Sequence, residues 1–220
     1  MNYIFLIVLV SLGFSLVQGM VRNNFVKYNK VANARGVSGA EIAQAISDHF
    51  GLGVQVGRSK GGPLSDHYDP RTKQINLSAE VYDGRSVSAA AIAAHEMGHA
   101  QQHAENYSAL AMRNSLFPIV NLSSAVWMWV LIAGIAMQSV GLQTVGIVLF
   151  GAVVLFQLIT LPVEFNASRR AESFLTDYGI ISQEQLPGAQ AVLKSAGYTY
   201  VVAALASLAQ LAYFLGGRRR

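Results

Sequence analysis

Ala89-Ala90-Ala91-Ile92-Ala93-Ala94-His95-Glu96-Met97-Gly98-His99-Ala100 is the most informative run in this chain. It is alanine-rich and free of proline, so its helix propensity is high. Residues four apart on a helix stand one above the other, so His95 and His99 present two imidazole nitrogens to one cation, with the Glu96 carboxylate beside them. That pattern is a hydrolase signature: two neutral imidazoles hold Zn²⁺ and Glu96 serves as the base. The competing reading is a pair of solvated histidines on a surface helix. Against it stands Gly98, which costs a purely structural helix about 1 kcal/mol relative to alanine. Next to a metal, its missing side chain leaves room for backbone and substrate.

Working outward, the 220 residues are 52% hydrophobic and only 13% charged. Soluble domains carry about a quarter charged residues, so the chain reads as a mostly α membrane protein. Cysteine is absent, which excludes disulfides and thiolate metal sites and leaves histidine and carboxylate as the zinc ligands. Four segments lack any charge: Tyr3 to Val21, Leu116 to Gln138, Leu142 to Val163 and Tyr198 to Leu215. A helix needs about 20 apolar residues to cross the hydrocarbon core. In the first segment the basic residues Arg22, Lys27 and Lys30 follow the apolar run, whereas a cleaved signal peptide carries them in front, so an anchor is expected. The second and third form a transmembrane hairpin turning at Gln138 to Gly141. The alanine-rich fourth suits either a span or a helix packed against the other spans.

The expected organisation is an anchor over 1–21, a zincin-like α+β unit with a short sheet over 22–114 and the hairpin over 115–163. A third-ligand helix and a surface helix follow over 164–197, then an apolar helix with a basic tail over 198–220. Within the polar unit, Ser38-Gly39-Ala40-Glu41 fits a capping box that starts a helix through Phe50, stopped at Gly51. Short strands are expected at Gly53 to Val56 and Lys73 to Leu77. Ser86 or Ser88 caps the motif helix, which is expected to run past Tyr107 towards Arg113. Helices over Glu164 to Glu172 and Gln183 to Ser195 complete the polar part, the second stopped by Gly197.

A net charge of +4 without basic residues interleaved with aromatics excludes a nucleic-acid footprint. The partners expected instead are the lipid bilayer and a peptide or membrane-protein substrate. Lys and Arg concentrate between Arg22 and Arg113 and recur at Arg169, Arg170 and Lys194, which places both polar segments, and with them catalysis, on the cytoplasmic side. Arg218-Arg219-Arg220 runs against that rule if all four segments cross.

A catalytic zinc takes three protein ligands and leaves one position for water, so one ligand remains to be found. The metzincin spacing is excluded, because Gln102 stands where that class needs glycine and Glu105 where it needs histidine. His103 lies about 6 Å further along the helix axis than His99. Glu164 is the better candidate, since the hairpin returns the chain there to the side from which it departed. The alternative is an anionic residue marking a membrane boundary. A site-2 type protease would bury its histidines in lipid, yet Gln101, Gln102, His103 and Glu105 follow directly and would be too costly there.

The stretches Asp66-His67-Tyr68-Asp69-Pro70, Gln74-Ile75-Asn76-Leu77-Ser78, Ala91 to Gln102 and Leu161-Pro162-Val163-Glu164-Phe165-Asn166-Ala167-Ser168 together resemble the YugP-type family of membrane zinc metallopeptidases, over nearly the whole chain. More distantly, Glu164-Phe165-Asn166-Ala167 is similar to the Glu-aromatic-x-Ala-Asp element of HtpX-type and CAAX prenyl membrane proteases. The resemblance implies a zinc metalloendopeptidase whose metal is held by His95, His99 and Glu164, with Glu96 catalytic. Ser168 stands where those families carry Asp, so the outer-shell role is expected to pass to Asn166 or Glu172. The Lys73 to Leu77 strand is expected to hold an extended substrate by strand addition, with His67 or Tyr68 as oxyanion candidates. The alternative function is a non-catalytic zinc-binding scaffold, whose closed site would need a fourth ligand from His49, His67 or His103.

Overall fold

The computed structural model describes residues 3–217; the basic tail Arg218 to Arg220 lies outside them. Among the described residues, seven helices and three short strands follow one another as α1 (Tyr3–Asn29), α2 (Gly39–Phe50), β1 (Gln55–Arg58), β2 (His67–Asp69), β3 (Gln74–Leu77), α3 (Ala79–Tyr82), α4 (Val87–Ala104), α5 (Ser108–Ala136), α6 (Val140–Asp177) and α7 (Leu186–Gly217). The chain divides into two compact units, and α1, α6 and α7 each contribute to both.

One unit comprises the chain up to Leu16, Ser108–Pro162 and the chain from Thr199 on. The helices that build it, α1, α5, α6 and α7, are each long and apolar enough to cross a membrane. Gly134 and Gly146 let α5 and α6 approach closely, since a Cβ on Gly146 would lie 2.9 Å from the backbone nitrogen of Leu131. Such small-residue contacts let helices pack where lipid removes the hydrophobic driving force. Trp127 stacks on Phe150 at 4.4 Å, and Gln210 donates to the Tyr3 hydroxyl at 3.0 Å. Leu122, Trp129 and Ile135 turn outward, a face suited to lipid.

The other unit comprises Val17–Tyr107 and Val163–Tyr198. Its core joins Ile42 and Ile46 of α2, Ile75 and Leu77 of β3, Met97 of α4 and Leu175 of α6. Ala89, Ala90, Ala91, Ala93 and Ala94 are all fully buried, so α4 is enclosed on most of its circumference by neighbours that only small side chains admit. Ser38 caps α2 as expected: its hydroxyl accepts from Glu41 N–H and its own N–H donates to the Glu41 carboxylate. Gly51, at φ +60°, ends the helix. Ser86 caps α4 by accepting from Ala89 N–H at 3.1 Å.

The sheet order is β1-β3-β2, with β1 parallel and β2 antiparallel to β3. Strand β2 has no counterpart in the sequence expectations. It is only three residues long, and its one signal is Tyr68 just before the Asp69-Pro70 turn. Its presence makes β3 the central strand, so the Lys73 to Leu77 segment has no free ladder and cannot take up a substrate strand as expected; the open edges belong to β1 and β2.

Boundaries also differ, beginning with β1, which lies two residues later than the expected Gly53 to Val56. The motif helix ends at Ala104 because Asn106 adopts a left-handed φ of +52°, a conformation asparagine tolerates, so it never reaches Arg113. Helix α6 runs unbroken through Pro162, with no new start at Glu164. Proline in a helix interior costs about 3 kcal/mol, and the stripe Val163, Ala167, Ala171 and Phe174, all buried, offsets that loss. Finally, α7 does not stop at Gly197, where the absent side chain leaves space for the Phe165 ring; a Cβ would meet it at 3.2 Å.

Candidate metal centre

Helix α4 carries His95 and His99 on a partly buried stripe, with Ile92 before them and His103 after. The other side of the site is formed within the same unit by α6, which brings Glu164 alongside. Its Oε2 lies 3.3 Å from His95 Nε2 and 3.5 Å from His99 Nε2, and the side chain is only 4% exposed. Donors held 2.0–2.1 Å from a tetrahedral Zn²⁺ stand about 3.3–3.4 Å apart. The three residues therefore fit the ion, and they are the group of potential metal ligands found among the described residues.

The opposite edges of the two rings are engaged. His99 Nδ1 lies 3.0 Å from Gln102 Oε1, and His95 Nδ1 lies 3.2 Å from the Ser168 hydroxyl. Both Nε2 atoms are thus the ones left to face Glu164. Ser168 itself fills the place expected for Asn166 or Glu172. Asn166 instead binds Gln102 and Arg170, while Glu172 accepts from Gln190 at 3.0 Å, away from the histidines. Gln102 is the outer-shell member that the motif does not reveal. Its position one turn after His99 is the signal that could have found it.

Burial pushes the Glu96 carboxyl up, with His95 and His99 pulling the other way. Burial would lower His99, but its contacts with Glu164 prevail and raise it. A carboxyl raised in this way holds a proton more readily than a solvated one. The remaining candidates lie apart from the donors. His103 Nδ1 is 2.9 Å from the Tyr68 hydroxyl, His67 contacts the Ser65 carbonyl and Asn76, and His49 packs on Phe50 and Tyr178.

Gly98 acquires a definite cause here. A Cβ at that position would sit 2.6 Å from the carbonyl oxygen of Ala167 on α6, so the room it leaves is occupied by the backbone of the Glu164 helix. Overpacking costs about 1–3 kcal/mol, against about 1 kcal/mol gained in helix propensity. Backbone cannot rotate out of the way. Gly98→Ala is therefore expected to lower the melting temperature and to weaken zinc binding by moving Glu164 from the histidines, as thermal unfolding with and without added zinc would show.

A family model described as "Putative neutral zinc metallopeptidase" matches residues 3–218. The chain belongs to this family. Consistent with that membership, it is 46% identical over 216 residues, 98% of this chain and 96% of the relative, to the "Putative membrane protease YugP" of Bacillus subtilis (strain 168). No solved structure matches the chain.

Proposed function

We propose that this family member is a membrane-bound zinc metalloendopeptidase in which His95, His99 and Glu164 hold the ion and Glu96 moves the proton. The observation that carries this is the convergence of the two Nε2 atoms on one Glu164 oxygen, with Glu96 on the same turn of α4. When bound, zinc supplies a Lewis acid that polarises a peptide carbonyl and makes water acidic enough to deprotonate near pH 7. Glu96 accepts that proton on its carboxylate and returns it to the departing amine. The partly buried histidine stripe of α4 is the side a substrate, a peptide or membrane protein, would approach, and the bilayer is the other partner. The Lys and Arg distribution supports a cytoplasmic active side.

The scaffold reading needs a fourth ligand. His49, His67 and His103 are each held by other groups, and three donors leave an open position for water. The test is the full chain purified in detergent micelles, assayed for bound metal and for hydrolysis of an unstructured protein. One zinc per chain is expected, with cleavage lost on chelation and restored by added zinc. Cleavage that survives complete metal removal would reject the assignment.

A further inference from the structure

We infer that Gln102 is a positioning residue for two of the three metal donors at once: it fixes the proton of His99 on Nδ1 and holds the turn of α6 that carries Glu164. This rests on the zinc reading and extends it to how the site is set before metal arrives. The Gln102 side chain is completely buried. Its Nε2 donates to the Val163 carbonyl at 2.8 Å and to Asn166 Oδ1 at 2.9 Å, and its Oε1 faces His99 Nδ1 at 3.0 Å.

The neighbours leave the amide no other orientation. The Val163 carbonyl can only accept. Arg170 Nε can only donate, and it lies 2.8 Å from the Asn166 atom that Gln102 also contacts, so that atom is an oxygen and accepts as well. Gln102 must turn its NH₂ towards both, and its oxygen towards the ring. An oxygen there requires an N–H on His99 Nδ1, which in a neutral imidazole leaves the Nε2 lone pair pointing at the Glu164 side. Arg170 is itself anchored to Glu105, the residue that ends α4, at 2.7 Å. His95 has no comparable lock, because the Ser168 hydroxyl serves either tautomer by donating or accepting.

The second half of the inference follows from the same amide. Val163 immediately precedes Glu164, so one side chain ties the orientation of an α4 donor to the placement of the α6 donor. An outer-shell partner that acted on His99 alone would leave Glu164 where it is.

The experiment uses the full chain, labelled with ¹⁵N-histidine, metal-free in micelles at a pH where the rings are neutral. His99 is expected to carry a proton on Nδ1, where the Gln102 oxygen requires it, while His95, with the Glu164 carboxylate at its Nε2 and no such lock on Nδ1, carries its proton on Nε2. Gln102→Met keeps length and packing but no hydrogen bonds; it is expected to let His99 mix tautomers and to weaken zinc about 10- to 100-fold in chelator competition. Its effect and that of Glu164→Gln on zinc affinity should be less than additive. An unchanged tautomer and unchanged zinc affinity in the Met variant would overturn the inference. If that variant does not fold, Gln102→Glu serves: it retains an acceptor for His99 and loses the donors to α6. It is expected to keep the Nδ1 proton yet bind zinc more weakly, and full affinity would refute the hold on Glu164. A wild-type chain that bound no zinc would refute the metal assignment instead, leaving the metal-free spectra to judge Gln102.

Discussion

Glu96→Gln is expected to reduce peptide hydrolysis by about 10²- to 10⁴-fold, the range for loss of a positioned general base, while one zinc per chain stays bound. The amide matches the carboxylate in size and cannot take a proton from water. Glu96 is not among the three converging donors, so the metal has no reason to leave. Stability should not fall either. Glu96 is buried and burial raises the pKa of its carboxyl, which means its charged form is disfavoured there. A neutral isostere removes that burden, and thermal unfolding of the metal-free protein should show an equal or higher midpoint. Wild-type hydrolysis rates in this variant would show that the proton goes elsewhere. Loss of the zinc together with the activity would assign Glu96 to the metal and not to the chemistry.

Glu164→Ala is expected to have the larger effect on metal. Two imidazoles from one helix remain, and the anionic donor between them is gone. Outer-shell substitutions typically cost 10- to 100-fold in metal affinity, so removal of a direct ligand should cost more than about 100-fold. In this variant zinc should be lost on dialysis against a mild chelator that leaves the wild type loaded. Metal analysis after such dialysis, paired with circular dichroism to verify that α6 remains helical, separates loss of a ligand from loss of the fold. Tight stoichiometric zinc in Glu164→Ala would remove this residue from the site.

The two variants bear on different halves of what the residues themselves revealed. The pairing of His95 with His99 was legible because both lie on one helix, where spacing alone decides which side chains share a face. The caps at Ser38 and Ser86 were legible for the same reason, since the groups they satisfy are three residues away. Glu164 stood out through the position of the apolar hairpin and through family resemblance, while the 3.3 and 3.5 Å approaches to the histidine rings belong to the folded unit.

What was not legible shares a cause. Strand β2 is three residues long and exists through pairing with β3, so no internal period marks it, and without it β3 reads as an edge strand open to a substrate. The continuity of α6 through Pro162 depends on burial of Val163, Ala167 and Ala171, and that of α7 past Gly197 on the ring of Phe165 filling the vacant space. Local propensity argued for breaks at both points, and packing overrode it. The expectation that Asn166 or Glu172 takes the outer-shell role fails for the same reason, since neither contacts a histidine ring. Ser168 is close enough to reach His95 directly, and Gln102 answers His99 from within α4 itself.

The amino-acid order by itself determined the apolar helices, the alanine-rich helix with its paired histidines, and the exclusion of thiolate chemistry, because each of these depends on residue type and on periodicities within a single segment. Only the tertiary structure decided which carboxylate faces the rings, why residue 98 has no side chain, and how a buried amide joins Val163 to His99. Those are relations between α4 and α6, more than sixty residues apart in the chain, and a distance of that kind is set by the packing of whole helices, which no local pattern encodes.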